Sequence, residues 1–184
     1  MAPSLKARVM LSLAYGCGMR AGEVVRLKVG DIDSDQEIIR IVQTKGRKDR
    51  NVMLPVDILS LLREWWTKRP TGQDQDVSAP ERVLFPGYRG KHLSARQILG
   101  LFKQTALEAG ITKPVTLHTL RHSLATHLLE RGVDIRVIQA LLGHSKLTTT
   151  ARYASVATGM IAAVDSPLDD LNGSKRKKSK PKPS

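Results

Sequence analysis

Apolar residues recur at helical spacing over residues 4–17, where Leu5, Val9, Leu11, Leu13 and Ala14 are interleaved with Lys6 and Arg8. This pattern predicts a helix, closed by Gly16 and Gly18. A short second helix is expected from Ala21 to Leu27. The pattern then changes to β-branched runs, Ile38 to Val42 and Asn51 to Leu54, separated by the cation-rich turn Thr44-Lys45-Gly46-Arg47-Lys48-Asp49-Arg50. Lys28 to Ile32 can supply a preceding strand, with Asp33-Ser34-Asp35 as its turn. Together these predict a small antiparallel sheet of about three strands, by the short-turn rule. Pro55 opens a helix over Val56 to Lys68 that carries Ile58, Leu59, Leu61, Leu62 and the Trp65-Trp66 pair. Pro70 to Glu81 is polar and rich in turn formers, a loop. Three capped helices follow: one from Ser94 to Ala109 closed by Gly110, one from Thr116 ended by Gly132, and one from Asp134 ended by Gly143. A last helix is expected from about Ser155 to Val164. The fold class is α+β and mostly helical. Residues 1–172 read as one domain, and 173–184 as a basic, disordered tail.

Composition narrows the partners. The 184 residues carry 30 Lys and Arg against 17 Asp and Glu, a net charge of +13. The tail holds six of these bases (Lys175, Arg176, Lys177, Lys178, Lys180, Lys182) and no acid, which leaves 24 bases against 17 acids in the body, still a surplus of seven. A basic body points to a polyanionic partner, with nucleic acid first. Aromatics are only 4% of the chain, so the core rests on Leu, Val, Ile and Ala. The single cysteine, Cys17, excludes a disulfide within the chain and suits a reducing compartment. The apolar stretch at the start is short and broken by Ser12, Tyr15 and glycines, unlike a signal peptide. No run approaches the ~20 apolar residues of a membrane span, so no membrane association is expected.

Candidate chemistry lies in the second half. In Leu117-His118-Thr119-Leu120-Arg121-His122, His118 and Arg121 are three apart and share a helix face. They sit beside the core-facing stripe Leu117, Leu120, Leu124 and Leu128, near a helix start that favours an anion. Two readings stand for the pair: a phosphate site, or surface residues of an ordinary amphipathic helix. Further on, Tyr153 follows Leu141-Leu142-Gly143-His144 by nine positions, in Thr148-Thr149-Thr150-Ala151-Arg152-Tyr153. A phenol with a pKa near ~10 becomes a nucleophile only where cations stabilise its oxyanion. The other reading of Tyr153 is a half-buried aromatic on the core.

Three blocks, in order, carry a resemblance. They are Tyr15-Gly16-Cys17-Gly18-Met19-Arg20-Ala21-Gly22-Glu23 with Leu27 and Asp31-Ile32-Asp33; Thr44 to Arg50 ending at Leu54-Pro55; and Leu117 to His127, continuing through Gly132 to Leu141-Leu142-Gly143-His144 and Thr150-Ala151-Arg152-Tyr153. From about Leu11 to about Val164 the chain resembles the catalytic domain of the tyrosine recombinases, the phage integrase family. The order and spacing of the blocks are specific where any one alone is weak.

The resemblance implies the tyrosine recombinase catalytic-domain fold and a catalytic set of Arg20, Lys45, His118, Arg121, His144 and Tyr153. Arg20 and Arg121 match the arginines that clamp a scissile phosphate, and Lys45 the lysine that serves as general acid. His118 matches a proton acceptor, His144 a phosphate hydrogen-bond donor, and Tyr153 the nucleophile. Glu23 is expected to orient Arg20 or His118 rather than act as a base; His122 and His127 are not expected to be catalytic. The implied reaction forms a 3′-phosphotyrosyl link with release of a 5′-hydroxyl, needs no cofactor and no metal, and integrates or recombines DNA. The implied partner is double-stranded DNA, with a synaptic tetramer formed through the segment after Tyr153, and the implied location is cytoplasmic, on a bacterial nucleoid. Met160 to Val164 can dock on a neighbouring protomer or pack on its own domain; both stand. The family's N-terminal core-binding domain is expected to be absent. The basic tail can be a DNA-binding extension, a nuclear address or a solvated tail. Two other activities share features of this reading: a DNA-binding remnant without catalysis, and a type IB topoisomerase-like relaxing enzyme.

Overall fold

A computed structural model describes residues 4–42, 49–72, 74–87 and 92–143. Its helices are α1 (Leu5–Gly16), α2 (Ala21–Arg26), α3 (Val56–Lys68), α4 (Ala95–Glu108), α5 (Leu117–Glu130) and α6 (Ile135–Leu142). Its strands are β1 (Ile32–Asp33), β2 (Ile38–Ile41) and β3 (Arg50–Met53), in one antiparallel sheet ordered β1-β2-β3. The register pairs Ile32 with Ile39 and Ile39 with Val52. This is the expected α+β, mostly helical class with its small three-stranded sheet.

The helix starts follow from side-chain caps. The Ser4 hydroxyl accepts from Ala7 N–H at 3.2 Å, that of Ser94 from Gln97 N–H at 3.3 Å, and the Asp134 carboxylate from Arg136 N–H at 2.7 Å. At the start of α5 the Thr119 hydroxyl accepts from Thr116 N–H at 3.0 Å. The first helix buries Ala7, Val9, Met10, Leu13 and Ala14 and packs against α3, α4 and α5, so it is the axis of the domain. Trp65 is buried from α3, its indole N–H donating to Leu84 O at 2.7 Å and its ring stacked on Phe85. A second apolar cluster, Leu124, Ala125, Leu129, Ile138 and Leu142, locks α6 onto α5.

Some expectations need correction. Lys28 to Ile32 is not a strand: Lys28 makes an isolated bridge with Val83, Val29–Asp31 is a 3-10 turn, and the strand is Ile32–Asp33. The cause is local. Asp31 accepts from Lys28 N–H at 2.9 Å and winds the chain, and Gly30 lies so close to Pro80 that a Cβ would be 3.0 Å from its carbonyl oxygen. The reversal after β1 occupies residues 34–37 rather than 33–35, because Asp33 caps it by accepting from Gln36 N–H. Strand β2 stops at Ile41, leaving Val42 exposed, and β3 begins one residue early at Arg50. The polar stretch 70–81 ends in a 3-10 turn, Ala79–Glu81, and is tied down at its start by a buried Arg69, which pairs with Asp74 and stacks over Trp66 at 3.9 Å.

Candidate active site

The site is built where α6 ends. The last-turn carbonyls of a helix lack partners within it and form its negative pole. Here three guanidinium groups meet them. Arg121 of α5 donates from Nη1 to Gly18 O and from Nη2 to Leu142 O. Arg20, the N-cap of α2, donates from Nη2 to Gly143 O at 3.1 Å and reaches Leu142 O at 3.5 Å. Arg50, the first residue of β3, donates from Nε to Leu141 O at 3.0 Å. The structure thus brings Arg20 and Arg121, far apart in sequence, onto one carbonyl oxygen. Both helix-ending glycines at this junction have left-handed backbone, φ 61° at Gly18 and 59° at Gly143. A Cβ on Gly18 would stand 2.8 Å from Leu142 and 2.9 Å from Leu124, which leaves no room for a side chain between α1, α5 and α6.

Arg121 is 2% exposed and faces into the domain among Leu117, Leu124 and Ala125. This corrects the expectation that it sits beside the apolar stripe: it lies within the stripe, and Leu120 and Leu128 are only partly buried. A buried guanidinium is tolerable only when its N–H groups are matched by acceptors, and the carbonyls of Gly18 and Leu142 are two such acceptors. His118, one turn earlier, stays on the surface. Its pKa is held below the ordinary imidazole value, first by partial burial and then by the positive charges of Arg121, His122 and Arg20. Partial burial and these charges favour its neutral form, the form able to take a proton.

Glu23 binds the cluster together. It is 8% exposed, and its carboxylate accepts from Arg20 Nη1 at 2.9 Å, Arg20 N at 2.7 Å, and Arg50 Nη1 and Nη2 at 2.8 Å each. Burial alone would push this carboxyl up; the hydrogen bonds and charge of Arg50, with those of Arg20, outweigh it and bring Glu23 down to about 2. Of the two expected alternatives, Glu23 orients Arg20. Arg20 and Arg50 together set two positive charges around one carboxylate, and the Arg20 side chain is 29% exposed while that of Arg50 is 7% exposed. The outward-facing result is a positive site suited to a phosphate.

Lys45, His144 and Tyr153 lie outside the described residues, as do the 155–164 helix and the 173–184 tail. Arg50 is the residue that sequence reasoning missed: it stood in the cation-rich block without an assigned role. His127, set aside as non-catalytic, hydrogen-bonds Tyr15 Oη through Nδ1 at 2.8 Å. Among the described residues no group of His, Cys, Asp and Glu could hold a metal ion, and no helix is long and apolar enough to cross a membrane.

Residues 2–160 match the Phage integrase family. Tyrosine recombinase XerD of Staphylococcus saprophyticus subsp. saprophyticus is 39% identical over 155 residues, covering 84% of this chain and 51% of that protein. Among solved structures, XerA recombinase superposes with a TM-score of 0.71 at 27% identity, covering 94% of this chain and 58% of that one. The XerH site-specific recombinase, in a pre-cleavage complex with its difH substrate, superposes with a TM-score of 0.68 at 29% identity, covering 86% of this chain and 44% of that one. The chain spans about half the length of the curated relatives it matches. With the fold shared and the family matched over most of the chain, this protein belongs to the phage integrase family.

Proposed function

We propose that this chain is the strand-cleaving domain of a site-specific DNA recombinase or integrase, working through a 3′-phosphotyrosyl intermediate. The observation that carries the reading is the meeting of Arg20 and Arg121 on the carbonyl of Leu142, with His118 one helical turn before Arg121. Two fixed guanidinium groups stabilise the charge that grows on the non-bridging oxygens of a phosphate under attack, and being fixed beforehand they need not reorganise during the step. In this reading Tyr153 Oη attacks the phosphorus and gives its proton to His118. The bond from phosphorus to the 5′ oxygen breaks, and Lys45 protonates that oxygen. His144, the residue after Gly143, donates to the phosphate. The phosphotyrosyl ester keeps the phosphodiester's bond energy, so a 5′-hydroxyl from a partner strand reverses the step without a cofactor.

XerH is bound to its substrate DNA in the structure this fold resembles, and we place double-stranded DNA against the same face of this chain. A synaptic tetramer assembled through the segment after Tyr153, and a location on bacterial DNA, belong to the same proposal. The test is covalent trapping on a suicide duplex nicked beside the scissile phosphate. The wild type should form a protein–DNA adduct. Tyr153→Phe should form none and should bind the same duplex within about twofold, since it loses only a hydroxyl. An adduct from the phenylalanine variant would refute the assignment of the nucleophile.

A further inference from the structure

We infer that Arg50 is a positioning residue of this site, holding Glu23 so that Arg20 stays both oriented and net positive towards a bound phosphate. The inference rests on the recombinase reading above and adds a residue that the resemblance leaves out of the catalytic set.

Arg50 is committed inward. Its Nη1 and Nη2 take one oxygen each of Glu23, and its Nε takes Leu141 O. Its side chain is 7% exposed, and it fills the space beside Gly143, where a Cβ would stand 2.8 Å from Arg50 Cδ. Arg50 therefore acts through its neighbours and does not touch substrate.

Charge explains why a second arginine is needed on this carboxylate. Arg20 and Glu23 alone form a neutral pair, joined at the side chain and again at the Arg20 backbone N–H. That pair fixes the direction of Arg20, yet it cancels the charge that a phosphate requires. Arg50 sets a second positive charge on the same two oxygens, so the trio carries one net positive charge. The more exposed member of the trio, Arg20, presents it. Shape explains why the residue is arginine. A planar fork can span both carboxylate oxygens and still direct Nε to a third acceptor; an ammonium is a point charge and cannot hold all three.

The experiment uses the full chain and a panel of nicked suicide duplexes that vary in half-site sequence. Single-turnover adduct formation is read per active molecule, beside DNA affinity and melting temperature. Arg50→Lys should slow adduct formation about tenfold and Arg50→Gln about a hundredfold, the scale of a lost preorganised contact, with affinity held within about threefold. Arg50→Gln alone leaves the Glu23 carboxylate buried with fewer partners and lowers the melting temperature. The double variant Glu23→Gln/Arg50→Gln removes that charge, so it should melt higher than Arg50→Gln. It restores the net positive charge but not the fork that orients Arg20, so it should cleave faster than Arg50→Gln yet stay about tenfold slower than the wild type. A double variant that recovers the full wild-type rate along with stability, or an Arg50→Gln protein that cleaves at the wild-type rate, overturns the positioning role and leaves the recombinase reading intact. A wild type that forms no adduct on any duplex overturns both.

Discussion

Glu23 is the single acid around which Arg20 and Arg50 are arranged, and its carboxyl lies at about 2 in the folded chain. An unfolded glutamate titrates near ~4.3. The folded state therefore binds this proton less readily, so the stabilisation is fully present above the unfolded value and is lost as pH falls from there towards about 2. Urea melts from about pH 6 down to about pH 2 span that window and should show a loss of stability that Glu23→Gln largely removes; parallel curves for the two proteins would contradict the assignment. His118 gives the corresponding expectation for catalysis. Its pKa is lowered by burial and by nearby cations, so a step that needs the neutral imidazole keeps its rate down to a pH below ~6.5 before the acid limb begins. A single-turnover pH profile with that limb centred above ~6.5 would argue against His118 as the proton acceptor. Gly18 carries a third expectation. Gly18→Ala must hold a left-handed backbone and insert a methyl group against Leu142 and Leu124, at a cost of about 2–3 kcal/mol in a urea titration. At this scale the family resemblance implies Arg20, His118 and Arg121, and the fold brings Arg20 and Arg121 to one carbonyl oxygen. The sequence was silent on Arg50, because one base among the four cations of residues 45–50 carries no mark of which one turns inward. Only the facing carboxylate makes that choice.

The elements that place these residues were legible wherever a cap or a period spoke locally. Ser94, Thr116 and Asp134 each open a helix where expected, and Gly143 closes α6 in the left-handed region. The strands were less legible. A capping carboxylate at Asp31 and the tight approach of Gly30 to Pro80 turned a would-be strand into a 3-10 turn, and the second of these depends on a contact fifty residues away. The burial of Arg121 was also hidden, because a polar letter in an apolar stripe reads as the edge of the stripe unless its buried acceptors are known. Helix α6 shows how an element serves the site. Its N-terminus is pinned by Asp134, its apolar side by Ile138 and Leu142, and its C-terminal carbonyls receive Arg20, Arg50 and Arg121. Asp134→Ala should lower stability by about 1 kcal/mol in thermal or urea melts. If the cap holds the whole helix in register, the variant should also slow adduct formation while leaving DNA affinity close to that of the wild type. A loss of affinity as large as the loss of rate would instead place Asp134 in the DNA contact.

For the whole molecule, composition and pattern together carried the fold class: an apolar axis helix, a short cationic hairpin and a run of capped helices admit few other arrangements. What the pattern could not supply is the convergence itself, since the meeting of α1, α5 and α6 at Gly18, Leu142 and Gly143 depends on packing between segments more than a hundred residues apart in sequence. Charge adds a property of the molecule that no single element carries. The tail from residue 173 holds six bases and no acid, and the body still has 24 bases against 17 acids. If the tail alone were the nucleic-acid contact, removing residues 173–184 would abolish the salt dependence of binding. If the body grips the DNA backbone, each phosphate it neutralises releases counterions, and the logarithm of affinity falls with the logarithm of salt in proportion to the contacts. The surplus of seven on the body predicts that the truncated chain keeps a steep slope, losing about a thousandfold in affinity between ~50 and ~200 mM salt. The truncation should only reduce that slope. Fluorescence anisotropy titrations of both chains on one labelled duplex measure it, and a truncated chain with a flat salt response would move the DNA-binding surface from the body to the tail.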